Sequence, residues 1–251
     1  MTLAPATIPA KERGRPLVIN SPRPIIITID GPAGTGKSSV ARALAKRLGL
    51  DFLDTGAMYR AAAAIVLDHS LPRADVAQII RTIAAADLKF DWATDPPQVL
   101  AWDRALEDRR LRAADVTDIV SDIASIAELR RHMVAKQRLI AEQHRRLVTE
   151  GRDQGSVVFP DAAVKFYLDA APQERARRRA EQLRARGITG PESEERALLQ
   201  EIVERDASDS GRAVGPLVCP QDAVRIDTTG LSFDEVVDVL EDEVRERVAA
   251  F

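Results

Sequence analysis

Hydrophobic positions along this 251-residue chain follow two rhythms, and the change between them predicts the elements. "PIIITIDG" (Pro24–Gly31) is an unbroken β-branched run, the pattern of a strand covered on both faces of a parallel sheet. A glycine-rich turn follows, and then "SSVARALAKRLGL", where Val40, Leu44 and Leu48 recur at helical spacing until Gly49 stops the helix. "DFLDTG" predicts a second short strand and "AMYRAAAAIVLD" a second helix.

From Leu88 the rhythm shortens. "LKFDW" and "QVLAWDR", joined by the polar turn "ATDPPQ", predict a small antiparallel insertion. Ala114–Leu147 reads as helical throughout. Buried parallel strands return with "LVTEG" and "AVKFYLDA". A helix then opens at Pro172 with "QERARRRAEQLRARG", followed by a second in "EERALLQEIVERDASDS". Strand "AVRIDTT" and helix "SFDEVVDVLEDEVRERVAA" close the chain, with Ser232 three residues before Glu235 at capping-box spacing. Strands alternating with helices predict an α/β fold, a parallel sheet flanked by helices and carrying inserted subdomains. No internal repeat is found.

One stretch breaks the pattern. In "LVTEGRDQGSVVFPDA" (Leu147–Ala162) a core strand runs into Glu150-Gly151-Arg152-Asp153 before a further apolar run, Val157–Phe159. Either Arg152 and Asp153 pair with each other, or the strand ends at a ligand.

Bulk composition narrows the chemistry. Hydrophobic content of 45% suffices for a large core, and a net charge of −3 gives no polybasic character, so nucleic acid and anionic membrane are not expected as partners. No apolar run approaches the ~20 residues of a membrane span, and residues 1–23, interrupted by prolines, read as a flexible extension rather than a signal peptide. The single cysteine, Cys219, fits a reducing cytosol and reads as a small core residue. Cytoplasmic location and a monomer are the expectations. Arginine outnumbers lysine thirty to six, but where the arginines cluster matters more than their number, and any anion binding must be local.

"GPAGTGKS" (Gly31–Ser38) matches G-x-x-x-x-G-K-[ST] between a strand and a helix. Its glycines let backbone N–H groups converge on an anion at a helix N-terminus. Gly31, Pro32, Ala33, Gly34, Thr35, Gly36, Lys37, Ser38 and Ser39 form this candidate ATP cradle. Lys37 would reach the β- and γ-phosphates, and the Ser38 hydroxyl would ligand Mg²⁺. The cradle alone serves switch GTPases, motor ATPases and small kinases. No N-K-x-D-like guanine segment is present, and "KFYLDA", ending at Asp169, reads equally as a motor-type Mg²⁺ strand and as a plain parallel strand. "DTGAMYR" (Asp54–Arg60) delivers Thr55 and Arg60 beside the cradle and could hold a second anion.

Together "TIDGPAGTGKSSVA", "LDTGAMYRA", "EGRDQGSVVFPDA" and "ERDASDSGRAVGPL" closely resemble the bacterial cytidylate kinases, from Ile25 to the C-terminal helix and in the same order. The resemblance implies ATP-dependent phosphoryl transfer to CMP and dCMP. It implies a kinase core at 24–60, 147–171 and 213–251, a mononucleotide-binding insertion at 61–146, and a lid at 172–212. It places Thr55, Arg60 and Arg152 near the acceptor phosphate or its mononucleotide, and Asp153 and Arg112 at the cytosine. Arg205 and Asp209 fall near sugar and phosphates, and Arg212 near base or phosphates. Lys37, Arg152, Arg205 and Arg212 would carry the catalytic charge, with lid arginines drawn from Arg175, Arg178 and Arg179. A kinase with another acceptor and a regulatory ATPase are the competing classes. Two departures stand out: Gln154 occupies a position that is usually apolar in those enzymes, and "ALEDRRLR" lacks their hydroxyl-bearing segment, leaving Asp108 or Arg109 as substitutes.

Overall fold

A computed structural model describes residues 15–16, 24–185, 187–190 and 194–248. The expected flexible extension therefore lies outside the described residues, apart from Arg15 and Pro16.

Five parallel strands form the central sheet: β1 (Ile25–Asp30), β2 (Asp51–Asp54), β6 (Arg146–Gly151), β7 (Val164–Asp169) and β8 (Val224–Asp227), in the order β2-β6-β1-β7-β8. All six residues of β1 are buried, as its uninterrupted apolar run requires of the middle strand. Its alternate residues feed two cores. Ile25, Ile27 and Ile29 pack with Val40, Leu44 and Leu48 of α1 (Lys37–Leu48) and with Val237 and Leu240 of α9 (Phe233–Val248). Ile26 faces the other side, where Met58 and Ile65 of α2 (Thr55–Asp68) meet α3 (Val76–Ala86). Each fully buried isoleucine contributes about 1.5–3 kcal/mol, so the sheet is held chiefly by these two layers. Among the described residues, no helix is long and apolar enough to cross a membrane.

The expected antiparallel insertion is present as β3 (Lys89–Asp91), β4 (Gln98–Ala101) and β5 (Arg104–Ala105). The short helix α4 (Asp108–Leu111) follows it. The single helical stretch expected over Ala114–Leu147 is instead two helices, α5 (Ala114–Ser125) and α6 (Ala127–Gln143), broken at Ile126, with β6 already begun at Arg146. Ile126 is extended (ψ 112°) and caps both helices, which amphipathic spacing alone does not reveal. Near the C-terminal end, α7 (Pro172–Ala185) and α8 (Glu195–Ser210) pack through their own small cluster of Ala176, Ala180, Leu183, Leu198 and Ile202. The capping box forms: Glu235 N donates to Ser232 Oγ at 3.3 Å while Ser232 N donates to Glu235 Oε2 at 2.8 Å.

After β6 the chain turns through one π-helical turn, Gln154–Val158, so the apolar run Val157–Phe159 is not a strand. Asp30, at the end of β1, causes the turn by accepting from Gln154 N at 2.9 Å and Gly155 N at 2.7 Å. A β-carbon at position 155 would meet Thr28 Oγ1 at 2.8 Å, so glycine is needed for this close approach. Cys219 is exposed rather than in the core. Leu217 takes the buried place in that loop, its N–H bonded to Asp209 O at 2.9 Å, and leaves the following residues outside.

Candidate functional site

The glycine-rich turn joins β1 to α1 at the carboxyl end of the sheet, where open α/β sheets form their ligand crevices. Gly31 has φ 147°, and a β-carbon there would stand 2.0 Å from Leu168 O, so only glycine lets the turn pass β7. Gly36 caps α1 without any side-chain acceptor for the first N–H groups. Those N–H groups, at the positive end of the helix, are left for an anion. Lys37 is buried and donates to Pro32 O at 2.7 Å, holding its ammonium over the turn. Burial, then the nearby Arg152, lower the Lys37 pKa to about 7.

A cleft of about 310 Å³ opens from this turn. Ala33, Gly34, Gly36, Lys37, Ser38 and Ser39 line it, whereas Gly31, Pro32 and Thr35 lie behind and shape the loop. Ser38 Oγ donates to Glu150 Oε1 at 2.7 Å. Beside Glu150 stands Asp54, whose carboxyl is pushed up to about 7 by burial and then by the Glu150 charge. Glu150, one residue before the end of β6, thus belongs to the cradle. Ser38 with these two carboxylates is an all-oxygen set of the kind Mg²⁺ takes together with substrate phosphates. Among the described residues no larger acidic or histidine cluster is built to hold a metal alone.

Thr55, Arg60, Arg112, Arg152, Asp153, Arg205, Asp209 and Arg212 all line the same cleft, although they come from widely separated segments. Thr55 Oγ1 donates to Glu150 O at 2.7 Å, locking the start of α2 to the end of β6. Arg60 Nη1 donates to Leu111 O at 3.1 Å and Thr117 Oγ1 at 3.0 Å, bridging α2 to α4 and α5 with no acidic partner among the described residues. Arg112 pairs with Asp108 at 2.7 Å. Arg152 Nε donates to Asp209 Oδ2 at 2.7 Å, and Arg212 also pairs with Asp209. One carboxylate therefore serves two arginines. Among the described residues, Arg205 Nε and Arg212 Nε are buried without a partner, and burial followed by Arg152 lowers the Arg205 pKa to about 10. Burial, then Arg112, does the same to Arg60. Mutually repelling guanidiniums with enclosed, unspent N–H donors are chemically suited to a polyanion.

Arg152 and Asp153 do not pair. Asp153 is held by Arg130 of α6, in a buried ion pair that also lines the cleft. The Arg130 guanidinium lies 5.3 Å above the Tyr59 ring. Arg130 was not among the residues expected from sequence. The available signal was its place on the apolar stripe Ile126, Arg130, Met133, Gln137, Ile140, where a charge at a core position demands a buried partner. Gln137 on that stripe also explains the unusual Gln154, whose Nε2 donates to Gln137 Oε1 at 3.1 Å while its Oε1 accepts from Thr149 Oγ1 at 2.9 Å.

Other expectations are corrected. Asp108 reaches the cleft but Arg109 does not, being exposed and paired with Glu107. Of the α7 arginines only Arg179 lines the cleft; Arg178 is tied to Glu174 and Thr228, and Arg175 is buried behind the cradle. Asp169 lies outside the cleft and accepts from Arg225 at 2.6 Å, so β7 is a plain structural strand.

A P-loop cradle sharing one cleft with a second, arginine-walled chamber defines a phosphotransferase of the P-loop kinase class. The cytidylate kinase family model matches residues 27–246. The chain is 41% identical over 219 residues to the cytidylate kinase of Streptococcus agalactiae serotype Ia, covering 87% of this chain and 95% of that one. It is 42% identical over 219 residues to the cytidylate kinase of Caldanaerobacter subterraneus subsp. tengcongensis, covering 87% and 94%. A bifunctional pantoate ligase/cytidylate kinase of a Synechococcus strain is 43% identical over 231 residues, and this chain spans 44% of its length. The chain belongs to the cytidylate kinase family.

Proposed function

We propose that the protein transfers the γ-phosphoryl group of ATP to CMP, and to dCMP, yielding ADP and the pyrimidine diphosphate. An oxygen of the acceptor phosphate forms the new P–O bond as the β–γ bridging P–O bond breaks, and ADP leaves with that electron pair. The acceptor oxygen is already anionic, so no strong base is required. Catalysis then rests on positioning and fixed positive charge.

In this reading the first N–H groups of α1 and Lys37 hold the donor phosphates. Arg60, Arg152 and Arg205 hold the acceptor phosphate and the transferring group, with Arg212 at the base side. When bound, Mg²⁺ would supply charge neutralisation across the donor phosphates, with Ser38 and Glu150 on its protein side. Asp153, oriented by Arg130, would accept from the exocyclic amine of cytosine, while Arg130 or Arg112 donates to the ring acceptors. Uracil carries an acceptor in place of that amine, so the carboxylate opposes it.

The observation that carries this reading is the unspent Nε donors of Arg205 and Arg212 in the cleft that Lys37 also lines. The division of labour follows the segments: 61–146 supplies Arg112 and Arg130 as the mononucleotide insertion, and 172–212 supplies Arg179, Arg205 and Arg212 as a lid that excludes water. The reading extends to a monomer acting on free nucleotides in the cytoplasm, with neither nucleic acid nor membrane as partner. ³¹P NMR of protein with ATP, Mg²⁺ and CMP tests it. Appearance of CDP resonances with loss of CMP is expected, and ATP consumption giving only inorganic phosphate would overturn it.

A further inference from the structure

Arg175 is the one α7 arginine that is deeply buried, at 3% exposure, yet the cleft does not include it. Its guanidinium is spent on three separate parts of the molecule. Nε donates to Ala170 O at 2.9 Å, just past the end of β7. Nη1 donates to Ala33 O at 3.0 Å, inside the phosphate cradle. Nη2 pairs with Asp206 Oδ2 at 2.6 Å, on α8. Backbone contact is close as well, since a β-carbon on Gly34 would stand 3.2 Å from Arg175 Cβ.

Asp206 follows Arg205 directly and precedes Asp209 by three residues, so all three sit within one turn of α8. Asp209 in turn holds Arg152 and Arg212. A single side chain thus runs from the cradle backbone to the turn that carries the acceptor-site charges. Burying a guanidinium costs several kcal/mol unless every donor is used, and apolar packing would hold α7 against α8 without it. The small apolar cluster between these helices does that already.

We infer that Arg175 is a positioning residue: it fixes α8, and with it Arg205 and Asp209, relative to the carbonyl of Ala33, so that filling the cradle tightens the acceptor site. This rests on the kinase reading above. Movement of the cradle backbone on phosphate binding shifts the Ala33 carbonyl, and the Arg175–Asp206 pair carries the shift to α8. Coupling between sites is reciprocal, so the acceptor must tighten the donor by the same factor.

The test titrates a non-hydrolysable ATP analogue, with Mg²⁺, into the protein in the absence and presence of saturating CMP. The unsubstituted chain is expected to bind the analogue about 10-fold more tightly with CMP present, within the usual range of site coupling. Arg175→Lys, which keeps the charge but loses the three-way fork, and Asp206→Asn should cut that factor below about 2-fold and lower kcat about 10-fold. The KM for ATP should change less. Asp206 is a quarter exposed, so Asp206→Asn is the variant to read should Arg175→Lys fold poorly. Variants that melt earlier yet retain full coupling and kcat would overturn the inference, as would CMP binding without coupling in the unsubstituted chain. Failure of that chain to bind CMP at all would overturn the functional reading, and the inference with it.

Discussion

Arg130 and Asp153 meet as an ion pair with only 2% and 4% of their side chains exposed, although they lie 23 residues apart on a helix and after a strand. The pair joins α6 to the segment just after β6 at one wall of the cleft. Breaking it by Asp153→Asn leaves the Arg130 charge buried, a change that typically costs about 3–5 kcal/mol. Urea unfolding should show that loss. The ratio of kcat/KM for CMP over UMP should fall about 10-fold or more in the protein that remains folded. An unchanged ratio would remove Asp153 from base recognition.

Arg205 should behave oppositely in stability and activity. Its side chain is half-buried, carries an enclosed Nε without a partner among the described residues, and is repelled by Arg152, Arg60 and Arg212 against the attraction of Asp209. Arg205→Met should raise the melting temperature of the free protein while reducing kcat/KM by about 10²–10³, the scale of losing one preorganised charge contact. Thermal scans beside steady-state kinetics check both halves.

Asp30 gives a pH signature. Burial raises its carboxyl to about 7 from an ordinary 3.8, against the opposing bonds from Gly155 and Gln154. Between about pH 4 and 7 the unfolded chain releases this proton while the native state keeps it. The contribution of Asp30 to stability is therefore fully present below pH 4 and declines as pH rises toward 7. Urea melts of the unsubstituted protein and Asp30→Asn across this window should show their stability difference shrinking as pH increases. A difference that grows with pH would contradict the assignment.

Gln154 is a structural link with a defined partner. Gln154→Met leaves Gln137 Oε1 and the Thr149 hydroxyl unsatisfied, at about 1–3 kcal/mol. Adding Gln137→Met should restore part of this, because the second change removes an orphaned group instead of creating one. Strict additivity of the two losses would mean the amides do not interact.

The parts of the molecule legible in the sequence were those written in contiguous residues. The cradle, the Thr55–Arg60 segment, Arg152-Asp153 and Arg205–Arg212 each announce themselves by local chemistry, and the strand and helix order followed from apolar spacing. What escaped depended on long-range partners. Arg130 is one of several arginines on α6, and only its meeting with Asp153 sets it apart. Arg175 shares a helical face with Arg179, which lines the cleft, yet the Ala33 and Ala170 carbonyls and Asp206 capture it. Val157–Phe159 has strand composition, but Asp30 takes the N–H groups of Gln154 and Gly155 and bends the chain first. The break at Ile126 is likewise a backbone event inside an apolar stretch that reads as continuous helix.

In the proposed reaction the arginine-walled chamber accepts a cytosine mononucleotide as phosphoryl acceptor. ADP release measured with ATP, Mg²⁺ and, in turn, CMP, dCMP, UMP, AMP and GMP tests it most directly. Rapid ADP formation is expected with CMP and dCMP, weaker turnover with UMP, and rates near the acceptor-free background with AMP and GMP. ADP formation that CMP does not accelerate would contradict it.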